Sequence, residues 1–189
     1  MKQFFISNKR LFIYLAKFVG AFCVLYFGTL AIIGLSAPEN RYSPFVAHYL
    51  NFIPAFRSSL MYGTKIFLSL FGYETYMASD VVIRMVNGGA VQMVYACLGY
   101  GVTSFWLAFV FANRGSWKKK ALWMLGGATA LWIINVFRIS LVLLASSKHW
   151  GIPLGWDHHT WFNIVAYIMI FTMMWLYDRK IFSRSVKEN

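Results

Sequence analysis

Four apolar stretches, punctuated by clusters of lysine and arginine, constrain this chain more than any other feature. They run from about Leu11 to Leu35, Cys97 to Asn113, Ala121 to Ser146 and Thr160 to Tyr177. A hydrocarbon core about 30 Å thick takes roughly 17 to 25 helical residues to cross. Each stretch therefore reads as a spanning helix, the second at the lower limit of length. With 59% of the 189 residues hydrophobic and 20% aromatic, nothing remains from which to build a second soluble domain.

The basic residues set the orientation. They gather as Lys2, Lys9 and Arg10, then Arg114, Lys118, Lys119 and Lys120, then Arg179, Lys180, Arg184 and Lys187. Lysine and arginine are retained on the cytoplasmic side of spans, so all three clusters and both termini are expected inside. This placement also accounts for the net charge of +12 without a nucleic-acid partner. Residues 36–96 and 147–159 then lie outside. Ser36-Ala37-Pro38 has the small residues of a cleavage region, but the apolar run ahead of it is longer than the 7 to 15 residues of a signal h-region. The first span is read as an uncleaved anchor.

Within 36–96 two features stand out. Residues 45–72 mix Phe45, Leu50, Phe52, Ile53, Phe56, Leu60, Ile66 and Phe67 with His48, Arg57 and Lys65, and contain Pro54. The pattern fits amphipathic helices lying in the interface, or a hairpin that dips in and out with the same parity. Residues 80–95 then form two β-rich runs joined by Asn87-Gly88-Gly89, a hairpin signal because such turns require positive φ. The fold class expected is an all-α integral membrane protein, one membrane domain over 1–189, with about four transmembrane helices, outer-face amphipathic helices and a small β-hairpin.

Three groups with chemistry fall at the outer ends of the last three spans. Cys97 follows the hairpin at a strand-to-helix junction, where free N–H groups and the helix dipole stabilise negative charge. Cys23, among Phe22, Val24 and Leu25, has no ionisable neighbour and reads as a buried apolar residue. Arg138 lies about 27 Å along its helix from Lys120, near the outer boundary of the core. A central arginine costs roughly 2.5 to 3.5 kcal/mol on insertion scales, so a partner is expected, with Asn135 three residues earlier on the same face. His158 and His159 end a loop punctuated by Gly and Pro, with Asp157 or Asn163 available to orient an imidazole acting as general base. A metal site built from His48, His149, His158 and His159 is the rival reading, but the spacing is irregular and no paired carboxylates accompany it.

The ordered set Cys97-Leu98-Gly99, Asn135-Val-Phe-Arg138-Ile139 and His159-Thr-Trp-Phe-Asn163 resembles the exosortase and archaeosortase family across about half of the chain. The resemblance implies a membrane cysteine transpeptidase or protease of the bacterial cytoplasmic (inner) membrane, facing outward. Cys97 would be the nucleophile, Arg138 the oxyanion or carboxylate stabiliser, and His159, or His158 in its place, the acid and base. Substrates would be exported proteins ending in a short motif, a hydrophobic helix and a basic end, and no cofactor is implied. Many bacterial members carry Ser, Arg or Lys soon after the cysteine; here Leu98-Gly99-Tyr100-Gly101 follows, and the chain reads as a compact subtype. A membrane scaffold remains the alternative. Polar contacts between membrane helices average about 0.6 kcal/mol, which gives a scaffold little use for a cysteine, an arginine and a histidine at one level. A transporter would show interrupted paired spans and a repeat, and neither is present.

Overall fold

A computed structural model describes residues 8–38, 41–148 and 158–185, with side chains of the last helix described over 164–179. The helices are α1 (Lys9–Ser36), α2 (Ile53–Ser69), α3 (Tyr100–Ala112), α4 (Trp117–Lys148) and α5 (His158–Ser185), and strands β1 (Thr75–Ser79), β2 (Val82–Met85) and β3 (Ala90–Gln92) lie between α2 and α3. Among the described residues α1 and α4 are long and apolar enough to cross a membrane. The backbone contacts group into two units, one formed by Met1–Ser59 with Leu98–Ala128 and the other by Leu60–Cys97 with Thr129–Asn189.

In the first unit, α1 carries aromatic residues at every fourth position, Tyr14, Phe18, Phe22 and Tyr26, which stack along one side because residues four apart share a helix face. Against that row α3 sets Phe105, edge-on to Phe18 at 5.2 Å, and Tyr100, 5.6 Å from Tyr26. The span expected over 97–113 is realised as only 13 helical residues, roughly 20 Å at 1.5 Å per residue, short of a bilayer core. Gly99 is the cause: its φ of 71° is left-handed, so helical hydrogen bonding begins after it. α3 buries Ser104, Trp106, Ala108, Phe109, Val110 and Ala112, positions from all around its circumference, as an internal helix does.

The α3–α4 corner is fastened by polar groups. Lys120, the last residue of the second basic cluster, is buried. Its ammonium donates to the Phe111 carbonyl at 2.9 Å and lies 5.1 Å from the Trp117 ring centre. A cation is favourable at the C-terminal turn of α3, where carbonyls lack helical partners. Trp106 is fully buried and donates its indole N–H to the Trp123 carbonyl at 3.1 Å.

In the second unit, α2 turns Leu60, Met61, Thr64 and Leu68 inward and leaves Tyr62 and Ile66 exposed, the two-faced character expected for this segment. Pro54 does not break it. Pro54 is the second residue of the helix, where its missing N–H would have no partner anyway. Residues Val46–Leu50 form a separate short π-helical turn ahead of it, in the first unit. At Gly63 the helix backbone sits so close to α4 that an added Cβ would come within 2.8 Å of Trp132 and Val136.

The hairpin is present but belongs to a three-stranded antiparallel sheet ordered β1-β2-β3. Its register pairs Thr75 with Met85, Tyr76 with Arg84, and Ile83 with Val91. Alternation puts Thr75, Ile83 and Met85 on the buried face. Asn87 is the turn residue with positive φ, at 56°. Among the described side chains of α5 the buried ones are Ala166, Ile170, Met173 and Tyr177, whose four-three-four spacing defines one inward stripe.

Neighbouring glycines of α4 give a test of this packing. A Cβ on Gly127 would collide with the Trp106 indole, whereas one on Gly126 meets nothing within 4 Å. Gly127→Ala should destabilise the purified protein by about 1–3 kcal/mol through overpacking, and Gly126→Ala should be neutral or slightly stabilising, as read by thermal unfolding in detergent.

Candidate functional site

Cys97 lies in a single 3₁₀ turn, Tyr95–Leu98, between β3 and α3. It is not at the helix N-cap, a position held by Gly99, so the sequence expectation of a thiol on the first free N–H groups of the helix is corrected. Its own amide is already engaged, donating to the Val94 carbonyl at 2.9 Å. What the turn does is leave the Cys97 carbonyl without a helical partner and aim it, with the sulfur, at α4.

Asn135 and Arg138 occupy that approach, one helical turn apart on α4. The Asn135 amide donates to the Cys97 carbonyl at 3.0 Å. Arg138 Nη1 makes two longer contacts, 3.4 Å to the same carbonyl and 3.4 Å to Asn135 Oδ1. Arg138 Nη2 lies 3.7 Å from Cys97 Sγ. The Asn135 bond has ordinary length and the arginine contacts are weak by length, so Asn135 is the firmer tie and Arg138 supplies charge. All three residues are buried, at 6%, 3% and 9% exposure for Cys97, Asn135 and Arg138. In such surroundings a guanidinium acts on neighbouring partial charges with less screening than in water.

The chain between hairpin and cysteine is held to α4 a second time. Gly89 donates its amide to Ser147 Oγ at 2.9 Å, and Ser147 in turn donates to the Leu143 carbonyl at 2.8 Å. Gly88 and Gly89 approach α4 so closely that a Cβ on either would meet Ser146 or Ser147. The Asn-Gly-Gly run thus serves two ends: Asn87 takes the turn conformation, and the glycines permit contact. Sequence reasoning identified the turn and missed the clamp; the signal was the Ser146-Ser147 pair near the end of an apolar helix.

The remaining expected residues are distributed as follows. His158 and His159 are the first two residues of α5, so the helix starts ahead of the span expected at Thr160. Asp157, His149 and the side chains of His158, His159 and Asn163 lie outside the described residues. His48 packs edge-on to its neighbour Tyr49 at 4.7 Å, and among the described residues no group of His, Cys, Asp and Glu is arranged to hold a metal ion. Both cysteines are free thiols, Cys97 buried and Cys23 partly exposed on α1.

Cys97 is thus buried and tied through its carbonyl and sulfur to an Asn-x-x-Arg pair on a long apolar helix. The model of the transmembrane exosortase family matches residues 23–176. The chain belongs to that family. Exosortases are membrane cysteine transpeptidases, and the match extends from the second half of α1 through the sheet, the Cys97 turn and α4 to most of α5. No curated protein matches the chain, and no solved structure does.

The ties to Cys97 generate a direct expectation. Asn135→Ala removes the firm donor to a buried carbonyl and should lower stability by about 1–3 kcal/mol, towards the smaller value because Arg138 still reaches that oxygen. Denaturant unfolding in detergent measures it; an unchanged midpoint would show that the Asn135 bond contributes nothing to holding the turn.

Proposed function

We propose that this exosortase-family chain cuts the C-terminal sorting tails of exported proteins on the outer face of the bacterial cytoplasmic membrane, using Cys97, Arg138 and His159. The contact between Arg138 Nη2 and Cys97 Sγ is the observation that carries the reading. A buried cation beside a buried thiol has a use in acyl transfer, where negative charge resides first on sulfur and then on the tetrahedral oxygen.

The thiol proton passes to the imidazole of His159, or of His158 in its place, and the sulfur attacks the carbonyl carbon of the scissile peptide bond. The oxyanion that forms is stabilised by the Arg138 guanidinium. Collapse breaks the C–N bond, the imidazolium gives its proton to the departing amine, and a thioester joins the substrate to Cys97. Water or an amine acceptor then attacks the thioester carbonyl, the same imidazole removing its proton. Asn135 acts through Cys97 by fixing its carbonyl, and Asp157 and Asn163 are the candidates to orient the imidazole. Both termini are cytoplasmic in this reading, because the basic clusters flank the spans on one side.

Processing of a tailed substrate, followed in cells at equal levels of each variant, tests the proposal. Cys97→Ala should abolish processing, Arg138→Lys should lower it at least about tenfold through loss of the planar fork, and Cys23→Ala should leave it unchanged. A cysteine placed at exposed Asp80 in the β1–β2 turn should react with a membrane-impermeant maleimide in intact cells. Full processing by Cys97→Ala would leave only a scaffold role, and labelling of Asp80→Cys solely after permeabilisation would put the site on the wrong side of the membrane.

A further inference from the structure

A second polar feature lies within the Leu60–Cys97 and Thr129–Asn189 unit, away from the sulfur. A cavity of about 490 Å³ is lined by Tyr76, Arg84, Asn87, Ser146 and Ser147 together with the glycine turn. Its volume falls in the range of small-ligand sites, roughly 300 to 1,000 Å³.

Its depth follows from the helix that forms one wall. Ser146 is 26 residues beyond Lys120 on α4, about 39 Å at 1.5 Å per residue. That exceeds the roughly 30 Å of hydrocarbon and stays within the 40–45 Å that includes the headgroups. An α4 that spans with its Lys118–Lys120 end at one surface would carry Ser146 to the level of the opposite headgroups.

Its chemistry is one-sided. Tyr76 and Arg84 are directly paired across β1 and β2 and project on the exposed face of the sheet, opposite to buried Thr75 and Ile83. Tyr76 supplies a phenol, Asn87 an amide, Ser146 a hydroxyl and Arg84 a guanidinium fork suited to two oxygens of one phosphate. Among the described residues no carboxylate lines the cavity, so they offer a choline or ethanolamine cation no counter-charge. The carbonyl end of α4 disfavours an anion, and Lys148 in its last turn, over the Tyr73 ring at 5.5 Å, offsets that.

We infer that the cavity between the Asn87-Gly88-Gly89 turn and Ser146–Ser147 binds the phosphate of an anionic phospholipid headgroup, with Arg84 as its principal ligand. Cys97 does not line the cavity, and lipid binding there requires no reaction at the thiol.

The test uses the full chain in neutral detergent, titrated with short-chain phosphatidylglycerol and, in parallel, with phosphatidylcholine of the same acyl length, bound lipid being counted by native mass spectrometry. One phosphatidylglycerol should bind with an affinity at least about tenfold above that for phosphatidylcholine and be weakened about tenfold or more by Arg84→Gln. Arg84→Lys should fall between, and Cys97→Ala should bind as the unaltered chain does. Tyr76→Phe, a milder change, should weaken binding about threefold and serves if Arg84→Gln does not fold. Equal retention by the unaltered chain and both pocket variants overturns the inference. So does stabilisation by inorganic phosphate alone that disappears in Arg84→Gln while phosphatidylglycerol binding stays unchanged, because the cavity would then take a soluble anion.

Discussion

The hydrogen bond from Asn135 to the Cys97 carbonyl is the constraint on which the candidate site depends. Cys97 arrives on a 3₁₀ turn whose carbonyl has no place in the following helix, because Gly99 ends the turn in a left-handed conformation. A buried carbonyl without a donor costs about 1–3 kcal/mol. Asn135 removes that penalty, and in doing so fixes the sulfur relative to α4. Arg138 follows one turn later on the same helix, so its distance from the sulfur is set by helix geometry together with that one bond.

The arrangement also gives Arg138 an environment. An arginine within an apolar helix is tolerated when it faces protein and meets oxygen or sulfur acceptors, and here it meets the Cys97 carbonyl, the Asn135 amide oxygen and the thiol. The Gly89–Ser147 bond ties the chain to α4 again, 12 residues further along. Segment 89–97 is therefore held at both ends by one rigid helix. For the proposed role of Cys97 such fixing matters, because an error of about 1 Å in placing a reacting group can cost about a hundredfold in rate.

Much of this was legible in the sequence, for identifiable reasons. Arg138 and Asn135 stood out because a cation and an amide are expensive in an apolar helix, and their three-residue spacing put them on one face. Cys97 was distinguished from Cys23 by the hairpin ahead of it, and the turn chemistry of Asn87 located that hairpin. The strand β1 was missed because Thr75-Tyr-Met-Ala-Ser79 has little contrast between its faces. The partial burial of the Lys118–Lys120 cluster was also not visible, since only folding shows that Lys120 has the Phe111 carbonyl within reach. The length of α3 depended on one backbone angle at Gly99. The Tyr14, Phe18, Phe22 and Tyr26 row was present in the sequence as a four-residue period, but its meaning required Phe105 and Tyr100 opposite it.

Acyl transfer through Cys97 requires a covalent intermediate on that sulfur, which can be trapped. Membranes containing this chain and a tailed substrate would be quenched in acid during turnover, and the Cys97 peptide identified by mass spectrometry with and without neutral hydroxylamine. The expected result is a substrate fragment joined to Cys97 by a bond that hydroxylamine cleaves, accumulating when the amine acceptor is withheld and persisting longer in His159→Ala that has been acylated from a pre-activated thioester substrate. Active turnover with no adduct on Cys97 and a hydroxylamine-sensitive adduct on another residue would contradict it.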